Sequence, residues 1–380
     1  MLYFLSEKKI SGENAMKSLK KTSVVIALLF SVLISTAVPA SAYTQVQQSI
    51  DSFCSGINAC VVYDMDNDTI IYSKNENQTI SVASTTKLMT CLITLSVFHP
   101  DDVITVGQEI YLRKPNSSVS LIQPGHKLKI RTLLAALLLP SGNDAAYTAA
   151  VNVARKHSGN PSMDYTTAVS YFCNLMNEEA KKLGCTNTSF VNPEGWDNPY
   201  HYSTAADMTK IAVAAANNAI ITSIANIHSS RFDFYSGEWI NWQNTNELLD
   251  PSGKYYYSYA HGLKTGTTNA AGKCLVAFAE KDGRRLLVLA YGCRTEDDRF
   301  ARVRDIFEYA FSIPAKGDAD GNGEISASDA RLVLRASVGL EEVTYTVKTQ
   351  GDTDRDGQLT ASDARHILRA AVNLEAPSQW

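Results

Sequence analysis

The chain has 380 residues, enough for one large domain and an appendage, and its 45% hydrophobic content can supply a true core. A formal charge of −4 with no basic stripe argues against a nucleic-acid partner. Seven cysteines (Cys54, Cys60, Cys91, Cys173, Cys185, Cys274, Cys293) form no CxxC pair and no metal-ligand spacing. Their odd number leaves at least one unpaired. Buried free thiols are the favoured reading, with a disulfide between Cys274 and Cys293 as the alternative.

Taken in chain order, the first element is a targeting segment. Lys17, Lys20 and Lys21 precede the 11-residue apolar run "VVIALLFSVLI", and Ala40 and Ala42 supply the small residues of a cleavage site. Residues 1–42 therefore read as a secretory signal, with Met16 as an alternative start. The run falls well short of the roughly 20 residues that span a bilayer; an uncleaved anchor is the alternative. No later segment is apolar enough to span. The expected mature protein is secreted, extracellular and without a membrane anchor.

"ACVVYDMDNDTIIYSK" holds two β-rich runs around an Asp-Asn-Asp turn and predicts a hairpin. "ASTTKLMTCLITLSVF" predicts a helix that starts at a Ser/Thr cluster. Residues 121–153 read as mainly helical, broken by "LPSGND", and residues 166–183 as another helix. "VNPEGWDNPYHYST" is loop and "AADMTKIAVAAANN" helix; after residue 229 strands return, and "DDRFARVRDIFEYAFS" closes as a helix. Strands at both ends with helices between predict an α+β domain: an antiparallel sheet flanked by helices, with a helical lobe. Residues 314–317 form a short linker, and beyond it a tandem repeat has a period of 34 residues.

The larger region contains no GxSxG, HExxH or P-loop, and none of its histidines lies in a catalytic string. It does contain "STTK", with Ser84 and Lys87 at i and i+3, on one face of a helix. A serine hydroxyl is a poor nucleophile until a base takes its proton. A lysine can act as that base if burial or a neighbouring cation lowers its pKa. Alone the pair is a weak signal. "SGN" (Ser141, Gly142, Asn143) follows an apolar helix, and "KTG" (Lys264, Thr265, Gly266) opens a strand. Gly266 would permit close backbone approach to a ligand.

The order SxxK, SxN, KTG is the signature of penicillin-binding proteins and serine β-lactamases. With "RTLLAALLLPSGNDAA", "FVNPEGWDNPYHYSTAADM" and "GLKTGTTNAAGKCLVAFA", residues 45–312 resemble the low-molecular-weight D-alanyl-D-alanine carboxypeptidases. Unlike many such relatives, the chain is expected to carry no extra β-rich domain and no amphipathic membrane anchor after the catalytic unit. The resemblance implies a β-lactamase/transpeptidase-like fold and an acyl-enzyme on Ser84, formed from the D-Ala-D-Ala end of a peptidoglycan stem peptide. Lys87 would be the general base, Ser141 a proton relay to the leaving amine, and Asn143 an orienting group. Lys264 and Thr265 would hold the terminal carboxylate, and Lys264 would help keep Lys87 neutral. Backbone N–H groups of Ser84 and Thr267 would form the oxyanion hole, with Gly266 between the binding residues. β-Lactams would trap Ser84 covalently, and no cofactor would be needed.

The repeat reads as two calcium loops. In "DADGNGEISASD", Asp318, Asp320 and Asn322 take positions 1, 3 and 5, Glu324 position 7 and Asp329 position 12. "DTDRDGQLTASD" offers Asp352, Asp354, Asp356, Gln358 and Asp363 in the same places. Aspartate replaces the usual glutamate at position 12, and no helix is expected before either loop. From Asp318 onward eleven acidic and six basic residues give a local charge of −5, which two structural Ca2+ ions would nearly neutralise. A loop followed by one helix, twice over, resembles a type I dockerin, an all-α module over residues 318–380. That resemblance implies docking to a cohesin module of a scaffoldin. Ala327, Ser328, Leu334 and Arg335, and their twins Ala361, Ser362, Leu368 and Arg369, would be the contacts.

Two other readings stay open. A non-catalytic wall-binding adaptor would rest its function on the tail alone. A β-lactamase would need a deacylating glutamate, and Glu194 lies in a plausible region. Transpeptidation differs only in the acyl acceptor.

Overall fold

The computed structural model describes residues 48–354 and 356–377; the export signal expected over residues 1–42 lies outside them. β1 (Ala59–Asp64) and β2 (Thr69–Lys74) form the expected antiparallel hairpin. β-Branched and aromatic side chains favour the extended backbone, and Asp64 closes the turn by accepting from the Asp66 and Asn67 backbone N–H groups at 3.1 Å. A 3-10 turn, Ala83–Thr86, runs directly into α1 (Lys87–Val97).

β3 (Val103–Thr105) pairs with β4 (Lys127–Lys129), ahead of α2 (Ile130–Leu138) and α3 (Asn143–Ser158). This corrects the expectation of mainly helical structure from residue 121. Pro124 and Gly125 interrupt the helical pattern, and Gly125, at φ +94°, donates to the Val106 carbonyl at 2.8 Å. α4 (Tyr165–Lys182), α5 (Ala205–Ala216) and α6 (Ala219–Ala225) are each started by a capping side chain, from Asp164, Thr204 and Asn218. β5 (Ser229–Asp233) and β6 (Trp239–Gln243) make a separate hairpin. β7 (Ala260–Thr268), β8 (Gly272–Lys281) and β9 (Arg284–Cys293) follow as a meander, and α7 (Arg302–Ser312) closes the unit.

The main sheet has the order β2-β1-β9-β8-β7, all antiparallel, so the first hairpin lies beside the last strand. β8 and β9 carry runs of six buried residues because both faces are covered. α7 packs on β8 and β9, while α5 packs on β1 and β9. The principal core joins Val61, Leu88, Leu134, Phe172, Val276 and Leu289, linking the sheet to the helical lobe. Among the described residues no single helix is long and apolar enough to cross a membrane.

Past the linker, α8 (Ala327–Ser337) and α10 (Ala361–Ala371) each begin with a capping box, Ser326 with Asp329 and Thr360 with Asp363. They pack on each other around Ala319, Ala330, Val333, Ala364 and Ile367. One expectation fails here. α9 (Tyr345–Gly351) immediately precedes the second loop, with Thr344 as its N-cap accepting from the Val347 N–H at 3.2 Å.

All seven cysteines are buried free thiols, so the alternative Cys274–Cys293 disulfide is set aside. Burial pushes Cys91, Cys173 and Cys274 up to about 12, which starves them of thiolate. Cys54 is lowered instead, chiefly by a hydrogen bond with Cys60. Maleimide labelling followed by intact-mass analysis should therefore mark the native protein slowly, at Cys54 first. All seven sites should react in denaturant without reductant; fewer would reveal a disulfide.

Candidate active site

α1 begins one turn after Ser84. Lys87 is fully buried at the start of that helix, and its ammonium donates three hydrogen bonds. The acceptors are Ser84 Oγ at 2.8 Å, Asn143 Oδ1 at 2.7 Å and the Glu194 carbonyl at 2.9 Å. Ser84 itself is only half-buried, so its hydroxyl is reachable while the Lys87 ammonium is not. Burial lowers Lys87 from 10.5 to about 8, against the opposing pull of the Glu194 and Asp144 charges. A neutral amine beside a serine hydroxyl is the arrangement that nucleophilic catalysis requires.

Ser141 and Asn143 enter from the break between α2 and α3. Asn143 reaches Lys87 as expected. Ser141 is buried, and its hydroxyl has no hydrogen-bond partner. Its backbone stands at φ +60°, and that of Ala83, just before Ser84, at φ +46°. Left-handed backbone at a residue with a side chain costs on the order of 1–3 kcal/mol and collects at functional sites. The break is held by Asp144, whose carboxylate accepts from the Ser120 backbone N–H at 2.8 Å and from its hydroxyl at 2.9 Å.

β7 supplies the third side. Lys264 is also buried and donates to its neighbour's Thr265 carbonyl at 3.0 Å. It lies well below 10.5, first through burial and then through repulsion from Lys87 and Arg299. The depression of Lys87 itself comes first from burial. Thr265 Oγ1 meets Thr245 Oγ1 at 2.6 Å, while Thr267 is exposed and its Oγ1 accepts from buried Arg299 at 3.1 Å. A Cβ on Gly266 would lie 2.9 Å from both Ala83 Cβ and the Ser84 nitrogen. That glycine lets the strand press against the turn that carries Ser84.

The loop at residues 192–197 contributes what motif spacing did not reveal. Asn192 Oδ1 collects the backbone N–H groups of Glu194, Gly195 and Trp196, at 3.3, 2.7 and 3.1 Å. This knot aims the Glu194 carbonyl at Lys87. Gly195, at φ +92°, sits so close that a Cβ there would overlap the Ala83 carbonyl. Thr90 Oγ1 donates to the Pro193 carbonyl at 2.6 Å, and Thr268 Oγ1 to Asp197 at 2.6 Å, so the loop ties α1 to β7. His201 Nδ1 accepts from the Val191 N–H at 3.2 Å, which leaves Nε2–H to donate to Thr86 Oγ1 at 2.9 Å. Burial holds His201 down to about 4, so it stays neutral. Arg299, Thr245 and His201 sit in no motif; only their position in the fold brings them to the site.

In the C-terminal repeat, oxygens of Asp318, Asp320 and Asp329 lie within 4.8 Å of one another, as do those of Asp352, Asp354 and Asp356. Asp318 accepts from the Gly321, Asn322 and Gly323 N–H groups at 2.8–3.0 Å, and Asp352 from Gly357 at 2.9 Å. Asn322 and Asp356 accept from the backbone of Glu324 and Gln358, at 2.9 and 2.8 Å. Asp363 is turned toward the Thr353 and Thr360 N–H groups, 2.7 and 2.8 Å away. Burial raises Asp318 and Asp352, and neighbouring carboxylates add to it. Crowded, hard oxygen donors of this kind fit Ca2+. Leu334 and Leu368 are each 46% exposed on their helices, while Ala327, Ser328 and Ala361 are exposed at helix starts and Ser362 is half-buried. Arg335 pairs with Glu341 at 2.8 Å and Arg369 with Glu375 at 2.6 Å, a duplicated clasp.

Comparison with known proteins bears on the larger unit. The family model described as D-alanyl-D-alanine carboxypeptidase matches residues 46–295 and stops short of the repeat. The chain is 28% identical to the D-alanyl-D-alanine carboxypeptidase DacF of Bacillus subtilis, over 75% of this chain and 70% of that one. It is 31% identical to DacB2 of Mycobacterium tuberculosis, over 67% of this chain and 81% of that one. The crystal structure of the Streptomyces K15 DD-transpeptidase aligns with a TM-score of 0.61 at 29% identity, covering 67% of this chain and 97% of that one.

Two outcomes are expected of the site. Acylation of Ser84 by a labelled penicillin needs Lys87 unprotonated, so its rate should rise with pH and level off above about 8. A rate still climbing steeply toward 10.5 would mean an unburied lysine. Gly195→Ala should cost about 1–3 kcal/mol in a denaturation series and slow acylation, because the nucleophile turn must move.

Proposed function

Because the chain belongs to the family of D-alanyl-D-alanine carboxypeptidases, we propose that it removes the terminal D-alanine from peptidoglycan stem peptides through an ester on Ser84. It is a serine-type D-alanyl-D-alanine carboxypeptidase, a hydrolase. The observation that carries the mechanism is the buried Lys87 ammonium 2.8 Å from Ser84 Oγ. Neutral Lys87 takes the hydroxyl proton as Ser84 attacks the carbonyl between the two D-alanines. The negative oxygen is met by the Ser84 and Thr267 backbone N–H groups, one such donor being worth about 3–4 kcal/mol. The proton passes through Ser141 to the leaving amine, and Asn143 keeps Lys87 in line. Thr265, Lys264 and Arg299 favour the substrate's terminal carboxylate. Water then cleaves the ester.

A β-lactamase reading has less support. The Glu194 carboxyl accepts from Tyr147 at 3.1 Å, and it is the backbone carbonyl that turns to Lys87. A non-catalytic adaptor would leave the strained backbone at Ala83 and Ser141 without a purpose.

The remaining parts of the proposal concern location. The chain is exported, and its repeat, a dockerin-like module, is ordered by two Ca2+ ions. Asp318, Asp320, Asn322, Glu324 and Asp329 would hold one ion, and Asp352, Asp354, Asp356, Gln358 and Asp363 the other. The partner is a cohesin module on a scaffoldin. Supporting this, the exposed apolar residues recur at the repeat period: Leu334 with Leu368, Val338 with Val372 and Leu340 with Leu374. Either copy can then present Ala327, Ser328, Leu334 and Arg335, or Ala361, Ser362, Leu368 and Arg369.

D-alanine release from a D-Ala-D-Ala peptide is the direct assay. Wild type should release it and Ser84→Ala should not, with loss of the penicillin adduct; an active Ser84→Ala protein would overturn the mechanism. A calcium chelator should unfold the repeat and abolish cohesin binding while leaving acylation nearly unchanged. Parallel loss of acylation would mean that the two units are coupled. Disrupting either copy alone should leave cohesin binding largely intact, and complete loss from one such change would rule out the paired faces.

A further inference from the structure

One buried ionisable group beside Lys87 has no role in the steps above. Glu194 is 1% exposed, and its side chain enters the helical lobe while its carbonyl holds the Lys87 ammonium. Tyr147, on α3, donates to Oε1 at 3.1 Å; Oε2 is buried with no hydrogen-bond partner. A buried carboxylate oxygen left without a donor is costly.

We propose that Glu194 is a positioning residue for Lys87: anchored by Tyr147, it fixes the turn whose carbonyl holds the ammonium, and its carboxyl supplies the counter-charge against which Lys87 releases its proton. This rests on the carboxypeptidase reading and deepens it. The groups around the pair come from every neighbouring element. α1 gives Cys91, α3 gives Asp144 and Tyr147, and β7 gives Lys264. The loop after β3 gives Arg113 and Lys114, and the stretch after Glu194 gives Asp197 and His201. Of these, Glu194 is the strongest charge holding Lys87 up against its burial. Burial in turn raises Glu194, and Lys87 pulls it back. The two therefore titrate as a linked pair. An ionised Glu194 retains the Lys87 proton; a neutral one lets Lys87 act as a base at lower pH.

The test is the pH profile of Ser84 acylation by labelled penicillin, with non-covalent affinity measured separately. Glu194→Gln keeps the shape and the Tyr147 contact but removes the charge. Its acid limb should move to lower pH by on the order of one unit, with affinity unchanged. Tyr147→Phe disfavours the ionised carboxyl and should move the limb in the same direction by less. It also supplies the readout if Glu194→Gln does not fold. Added to Glu194→Gln, it should produce no further movement. Folded variants with an unmoved limb would overturn the proposal. So would a Glu194→Gln protein that acylates on the wild-type profile and fails only to release the adduct, which would assign the carboxyl to the attacking water. Wild type that forms no Ser84 adduct at any pH would instead sink the carboxypeptidase reading itself.

Discussion

The site depends on hiding one ammonium group from water. Removing an ion of that size from solvent carries an effective penalty of several kcal/mol, and the fold offsets it with three acceptors on Lys87. Those acceptors come from three separate places: the 3-10 turn before α1, the start of α3 and the loop at residues 192–197. Much of the local geometry follows from bringing them together. Ala83 and Ser141 are forced into left-handed backbone, Gly266 gives up a side chain to let β7 approach, and Gly195 does the same for the loop. The sheet and helical lobe are the frame that makes such strain affordable, because each strained residue is pinned by a packed element on either side.

The C-terminal repeat follows the opposite logic. Its apolar core is small, built on Ala319, Ala330, Val333, Ala364 and Ile367. Its two loops gather like charges that oppose folding. Small domains of this kind ordinarily need a metal or a disulfide to persist, and no cysteine lies beyond Cys293. The duplicated capping boxes and Arg–Glu clasps give each half the same local frame, so the exposed leucine and valine rows point outward in equivalent ways. Where the larger unit spends burial energy on one reactive lysine, the repeat leaves apolar surface uncovered.

The motif residues were legible because their chemistry is local: Ser84 and Lys87 share a helical face, and Ser141 and Asn143 sit at the break between α2 and α3; Lys264 to Gly266, expected to open a strand, lie inside β7 instead. The antiparallel sheet was legible from its alternating and fully apolar strands. The strand at residues 127–129 was hidden by the apolar run that follows it, and α9 by its polar sequence, which becomes helical only with Thr344 as a cap. Backbone roles were invisible for a simpler reason. The Glu194 carbonyl and the Gly195 contact depend on distances between segments more than 100 residues apart, and the Asn192 knot is loop geometry that no motif spacing marks. Arg299 and His201 belong to the same class, since sequence gives no sign of which strand end or helix turn they face. Only the structure reveals that the neighbour of the glycine in "KTG" is the turn that carries Ser84.

The central claim is that Lys87 is a buried base of lowered pKa. The most direct measurement is an NMR titration of lysine carbon-labelled at the ε position, with the Lys87 signal assigned by substitution and followed in the intact protein. The account predicts a midpoint near 8. A Lys87 signal that titrates near the ordinary 10.5 of a solvated lysine would contradict it.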